Sequence, residues 1–336
     1  MSLMIHPNDG GNIRTYINEF NEYYHIYSNR GLHLGKFITW LDLIRCYFRY
    51  GCWINNYFEY RFWEKNATER NTFLTWKRAK KFINHVNGET YDINFHEKHN
   101  FLKKYKSFIC RDWLYVPEHS YEEVSKFLMK HDYVMEKYDK GSYGKGVKKL
   151  DIRKIEDLRY YYEYARKNNI LLEEYIDECE ELSDVHPYSL NTIRVATLLN
   201  KAGTDVKIIG AVFRMGINKA NVDNARADGL FAAIDIRSGI VMTEGVNFEG
   251  EHYLVHPNTQ CKIKKLKIPE WNKIRKVCVE AAKMSPQVRF VGWDIVVRKD
   301  HDIYFVELIE GNDRPGVPTL QVPLQKGIYR RIKKYE

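Results

Sequence analysis

The sequence has no stretch able to cross a bilayer as a helix: its longest run free of Asp, Glu, Lys and Arg, Pro315 to Gln325, holds eleven residues and three prolines. Its six cysteines (Cys46, Cys52, Cys110, Cys179, Cys261 and Cys278) include no Cys-x-x-Cys pair and meet no paired-histidine spacing. That excludes a zinc-finger type of site and a disulfide framework. The opening MSLMIHPNDGGN lacks the basic start and apolar core of a secretory signal and predicts a cytoplasmic protein. Neither a repeat period nor a Ser/Gly-rich or Pro-rich linker divides the chain. A composition of 44% hydrophobic and 29% charged residues excludes disorder, and 336 residues suit one large domain or two intimate ones.

Basic residues outnumber acidic ones by 53 to 44, but the surplus of nine is dispersed. The densest stretches, Lys103 to Lys106 and Lys262 to Lys267, are short and belong to no nucleic-acid module. The charge therefore favours solvated faces and a site for an anionic small molecule, and no nucleic-acid partner.

What is present changes character along the chain. Ile13 to Val86 has helical spacing and many aromatics, concentrated in FITWLDLIRCYFRYGCWINNYFEYRFW (Phe37 to Trp63). This aromatic stripe fits core packing best; accompanied by Arg45, Arg49 and Arg61 it also fits a membrane-surface face, so peripheral membrane contact stays open. From Tyr115 onward helical segments alternate with short β-rich runs, and residues 237–239 and 298–302 each separate two strand-like runs, as in hairpins. The fold class predicted is α+β.

Three stretches carry chemistry. In DYVMEKYDKGSYGKGVKKL a strand ending at Lys137 enters a loop with Gly141, Ser142, Gly144 and Gly146. Glycines let backbone N–H groups approach phosphate oxygens and lysines supply charge, although a hairpin turn explains the same residues. It is no Walker loop, lacking GKS or GKT, and HRD and DFG are absent from the chain, which excludes a protein kinase. ILLEEYI is an apolar strand turning acidic, followed by Glu180 and Glu181. VGWDIVVRKDHDIYFVELIEGNDRPG sets Asp294 on one strand and Glu310 and Asn312, two apart, on the next. A hairpin brings Asp294 opposite them, and three oxygen donors on one face suit Mg²⁺. Glu307, three residues before Glu310, faces the other side of an unbulged strand.

In this order the pieces resemble the ATP-grasp superfamily, and more closely its sugar-transfer-associated members. The resemblance is carried by YFRYG…NYFEYRFW, HEKHNFLKKY, KGSYGKGV, EEYI, HPYSLNTIRVATLL, VDNARADGL and VGWDIVV…VELIEGNDRPG, and spans nearly the whole chain. It implies an ATP-grasp fold: a helical region over 1–95, a small subdomain over 96–176 and a metal-bearing large subdomain over 177–336. ATP and Mg²⁺ are the implied cofactors. Lys98, preceded by Glu97 where Asp is usual, is similar to the first nucleotide lysine of the family and Lys137 to the second. The EEYI hinge, Glu173, Glu174, Tyr175 and Ile176, would border the nucleotide, with the backbone of Glu174 and Ile176 on the adenine edge and Glu180 or Glu181 on the ribose. Arg194, Arg214 and Asn224 lie in a segment similar to the glutamate-adding ribosomal modification ligases and would face phosphate or acyl phosphate. Asp294, Glu310 and Asn312 match the Mg²⁺ ligands. The activity implied is carboxylate–amine ligation in cell-surface polysaccharide biosynthesis, the partners being a small-molecule carboxylate and a sugar-linked amine. Alternatives are a phosphotransferase on the same fold and a nucleotide-binding partner of a glycosyltransferase.

Overall fold

The computed structural model describes residues 12–88, 92–141, 146–218 and 229–335. Two antiparallel sheets organise them. The small one holds β1 (Trp113–Tyr115), β2 (Tyr133–Tyr138), β3 (Val147–Asp151) and β4 (Ile170–Glu174) in the order β1-β4-β2-β3. The large one holds β5 (Ile193–Leu199), β6 (Val206–Met215), β7 (Leu230–Ile234), β8 (Gly245–Val246), β9 (His252–Tyr253), β10 (Phe290–Asp300) and β11 (Ile303–Asn312), in the order β11-β10-β5-β6-β7-β8-β9. The glycine-containing segment connects β2 to β3 as a hairpin, and residues 301–302 turn β10 into β11.

The helices before the first strand are α1 (Ile13–Ser28), α2 (Lys36–Tyr50), α3 (Ile54–Glu59), α4 (Ala67–Arg70), α5 (Trp76–Asn87), α6 (Ile93–His96) and α7 (Lys98–Lys104). Phe20, Tyr23 and Tyr27 of α1 pack with Phe58 of α3 and Phe62 in an aromatic core that extends to Phe231 and Val246 of the large sheet. The aromatic stripe of the sequence divides here. Tyr57, Phe58, Tyr60 and Phe62 are buried, whereas Phe37, Leu41, Ile44 and Phe48 of α2 face outward. Further on, Phe82 of α5 meets Phe290 edge-on at 5.6 Å, and α6 and α7 lie on β11. A side chain at Gly311 would come within 2.8 Å of Phe101 on α7, so this close approach needs glycine.

On the small sheet, α8 (Tyr121–Leu128), opened by a Ser120/Glu123 capping box, and α9 (Leu158–Lys167) bury Val124, Leu128, Tyr162 and Ala165 against Val134, Ile170 and Leu172. After the four-residue α10 (Glu180–Ser183), α11 (Trp271–Lys283) turns Trp271, Ile274, Cys278 and Ala281 onto the large sheet. These spacings of three and four residues place one apolar stripe on one face, and β5, β6 and β10 cover it. The chain closes with α12 (Val317–Gln321) and α13 (Tyr329–Ile332).

Register decides which side chains share the site. Asp294 stands opposite Arg194 of β5 and Glu310 of β11. The next pairs, Ile295 with Leu308 and Val296 with Glu307, show a bulge that leaves Ile309 as the extra residue. This corrects the expectation from an unbulged strand. Because Asp294 and Val296 share a face, their partners Glu310 and Glu307 share it too.

Candidate active site

The central pair is Asp294 and Glu310. Asp294, buried, accepts from Arg194 Nη2 at 2.7 Å and from Arg214 Nη1 at 3.0 Å. Burial alone would raise its pKa, but the two guanidinium groups outweigh it and hold the carboxyl below its ordinary range. So the two arginines, placed at phosphate by resemblance, are here carboxylate partners on neighbouring strands. A side chain at Gly292 would meet Pro315 Cα at 2.9 Å and Arg194 Cδ at 3.0 Å, which ties the arginine to the turn after β11.

Glu310 differs from its partner strand's carboxylate: it makes no hydrogen bond or ion pair among the described residues. Burial is the largest cause raising its pKa, with Asp294 adding to it and Lys98 opposing. Asn312, on the same face, accepts the Arg314 N–H at 2.8 Å through Oδ1.

Across the cleft stand the lysines. Lys98, at the start of α7, donates from Nζ to the carbonyls of Tyr138 (3.1 Å), Asp139 (3.3 Å) and Gly141 (3.0 Å). Its pKa is lowered first by burial, with Glu310 opposing. Lys98, Lys137, Glu173 and Glu310 line one cleft with Phe95 and Gly311. Lys137 donates to Glu173, which also accepts from Arg111 Nε at 3.1 Å. Burial would raise the Glu173 carboxyl, yet Arg111 and Lys137 bring it down to about 2. Arg111 in turn donates from Nη1 to Glu307 Oε1 at 2.6 Å. The guanidinium is fully buried and joins β4 to β11, and with them the two sheets.

The remaining expected residues are spread around this centre. Gly141 receives Lys98, and Gly146, at φ 76°, lies so close to Tyr138 that a Cβ would overlap its ring. Glu174 accepts from Asp112 N and Arg298 Nη2, both at 2.9 Å. The Tyr175 ring receives Lys149 Nζ at 3.5 Å, and Ile176 is buried. Glu180 is exposed, and Glu181 accepts from the Tyr304 hydroxyl on β11. Ser142, Gly144 and Asn224 lie outside the described residues. Glu97, His99 and Asp139 form the one Asp/Glu/His/Cys triplet with metal-ligand proximity among the described residues. Glu97 already pairs with Lys140 at 2.9 Å, and Asp139 accepts the His99 backbone N–H at 2.9 Å.

Arg111 and the role of Glu307 escaped the sequence reading. The signal was there: a glutamate inside the apolar run FVELI cannot be buried as a charge without a cation, and Arg111 in ICRDWLY is an arginine just before a strand.

The sequence matches the sugar-transfer associated ATP-grasp family over residues 77–336, and the chain belongs to that family. The fold is the ATP-grasp fold, as expected from the motifs. Among solved structures, the ATP-grasp ligase PsnB with minimal precursor, Mg and ADP is 15% identical, with a TM-score of 0.40 over 68% of this chain and 53% of that chain. The ADP complex of N5-carboxyaminoimidazole ribonucleotide synthetase is 11% identical, with a TM-score of 0.38 over 66% and 45%. The biotin carboxylase domain of Hydrogenobacter thermophilus 2-oxoglutarate carboxylase with MgADP is 14% identical, with a TM-score of 0.41 over 69% and 46%. The chain thus spans about half the length of these structures. No curated protein matches it.

Proposed function

We propose that the protein is an ATP- and Mg²⁺-dependent carboxylate–amine ligase that joins a carboxylate, such as that of an amino acid, to a sugar-linked amine in cell-surface polysaccharide biosynthesis. The observation that carries this is the in-register pair of Asp294 and Glu310, with Asn312 on the same face and Glu310 lining one cleft with Lys98 and Lys137. The all-oxygen donor set suits a hard cation. Asp294 is already neutralised by two arginines, so Glu310 is the charge left for the metal. When bound, Mg²⁺ neutralises phosphate oxygens as charge builds in transfer.

The chain's own groups do the rest. Lys98 and Lys137 exchange their present carbonyl and carboxylate partners for phosphate oxygens. The backbone of Glu174 and Ile176 holds the adenine edge and Glu180 or Glu181 the ribose. Arg194 and Arg214, kept in orientation by Asp294, face the transferring phosphoryl group, with Asn224 beside it. The substrate carboxylate attacks the γ-phosphorus, ADP leaves, and an acyl phosphate forms. The amine nitrogen then attacks its carbonyl carbon, phosphate departs, and the amine gives up a proton. Closure of the small subdomain (96–176) on the large one (177–336) keeps water from the acyl phosphate, while 1–95 forms the helical region.

Product analysis with pooled carboxylates and amines tests this. Amine-dependent release of ADP and free phosphate is the expected result. ADP with a stable phosphorylated product would replace the ligase by a phosphotransferase on the same site, and nucleotide binding without turnover would leave a nucleotide-binding partner of a glycosyltransferase.

A further inference from the structure

Helix α2 is apolar on two opposite faces. Thr39, Leu43, Cys46 and Tyr50 form the inner line, buried on the aromatic core. Phe37, Leu41, Ile44 and Phe48 follow the same i, i+4, i+7, i+11 spacing on the outer line and are 74%, 53%, 41% and 80% exposed. Nothing among the described residues covers them. A helix apolar all round has apolar surroundings on both sides, and here only the inner side is supplied by the fold.

The charges say what suits the outer side. The only acid in α2, Asp42, is turned away from it, accepting from Arg70 Nη2 at 2.7 Å and from the Tyr57 hydroxyl at 2.9 Å. Lys36, Arg45 and Arg49 are exposed, so the charges that α2 itself sets beside the outer stripe are all cationic. It runs about 17 Å along the helix at 1.5 Å per residue. A straight apolar line edged by flexible cations is complementary to a sheet of anionic headgroups above acyl chains, where apolar side chains enter the boundary and long basic ones stay with the phosphates.

We propose that α2 docks the protein on an anionic lipid bilayer, lying in the plane of the interface with Phe37, Leu41, Ile44 and Phe48 inserted and Lys36, Arg45 and Arg49 at the headgroups. The proposal rests on no assumption about the reaction in the cleft.

Co-sedimentation of the full chain with vesicles of phosphatidylcholine alone or containing a third phosphatidylglycerol tests it. Binding to the anionic vesicles that weakens in high salt and is much poorer on neutral ones is expected. Leu41→Gln with Phe48→Gln should weaken binding on the order of a hundredfold, about tenfold for each side chain removed from the boundary. Its melting temperature should match the parent's, since both side chains are exposed. Absence of vesicle binding overturns the proposal, as does a double variant that binds undiminished. A concentration-dependent dimer in analytical ultracentrifugation, dissociated by the double variant, would make the stripe an interface between copies and overturn it equally.

Discussion

Two charge clusters, one buried and one partly buried, lie on the same face of the β10–β11 hairpin and differ in completeness. In one, Arg111 is shared by Glu173 and Glu307, with Lys137 added on Glu173 and Arg298 Nη1 within 3.6 Å of Glu307. In the other, Arg194 and Arg214 are both spent on Asp294, and Glu310 has no ion-pair partner among the described residues. The first binds two sheets together and leaves its acids strongly held. The second leaves one carboxylate short of positive charge, in the cleft and near Lys98. Carboxylates of equal formal type thus differ in how far their neighbours compensate them, and the one left without a cation is the candidate for binding one.

The largest effect is expected from Arg111→Ala. It strands Glu173 and Glu307 without their shared cation, and a stability loss of about 3–5 kcal/mol is expected from an unpaired buried charge. Chemical denaturation would measure it, and a loss under about 1 kcal/mol would mean that the cluster does not clamp the sheets.

Glu310→Gln tests the open cluster. The fold should hold, because a desolvated charge without a partner is removed and the amide keeps the shape. Turnover should drop by roughly a hundredfold or more, about 2.7 kcal/mol of transition-state stabilisation, and the Mg²⁺ dependence should shift to higher concentration. Unimpaired turnover with a normal Mg²⁺ titration would remove Glu310 from the metal site.

Glu307→Gln should show the converse, a stability loss of about 1–3 kcal/mol with the Mg²⁺ titration unmoved. If the titration moves and stability does not, the ligand sits at 307 and the two clusters exchange roles.

The smallest effect is one of pH. Because burial raises the Glu310 carboxyl, the folded protein without cation binds this proton up to a higher pH than the unfolded chain does. This contribution is full below the unfolded carboxylate range and disappears as pH rises through the folded value. Glu173 and Asp294, both depressed, contribute in the opposite sense, with stability lost on acidification. Subtracting the melting curves of Glu310→Gln isolates the first term: the parent should lose ground to the variant as pH rises. A difference independent of pH would show that Glu310 titrates normally.

Much of this protein could be read along the chain, since local pattern and motif spacing are properties of neighbouring residues. The change from helical spacing to β-rich runs, the hairpin turns near 238 and 301, and the placement of Asp294, Glu310 and Asn312 on one face of a hairpin were all legible, and the motifs identified the ATP-grasp fold. Alternation along a strand, however, assumes an even register, and the bulge at Ile309 reversed the side on which Glu307 was expected. Lys137 was legible as a lysine near a strand end, but its carboxylate partner lies on β4, 36 residues away. Arg111 meets Glu307 across 196 residues, a separation over which no local pattern carries information. The aromatic helices show the same division. Spacing marked Phe37 to Trp63 as one aromatic helical stripe, and only packing decided that one line of α2 became core and another faces outward, because a sequence period states which side chains align but not what stands opposite them.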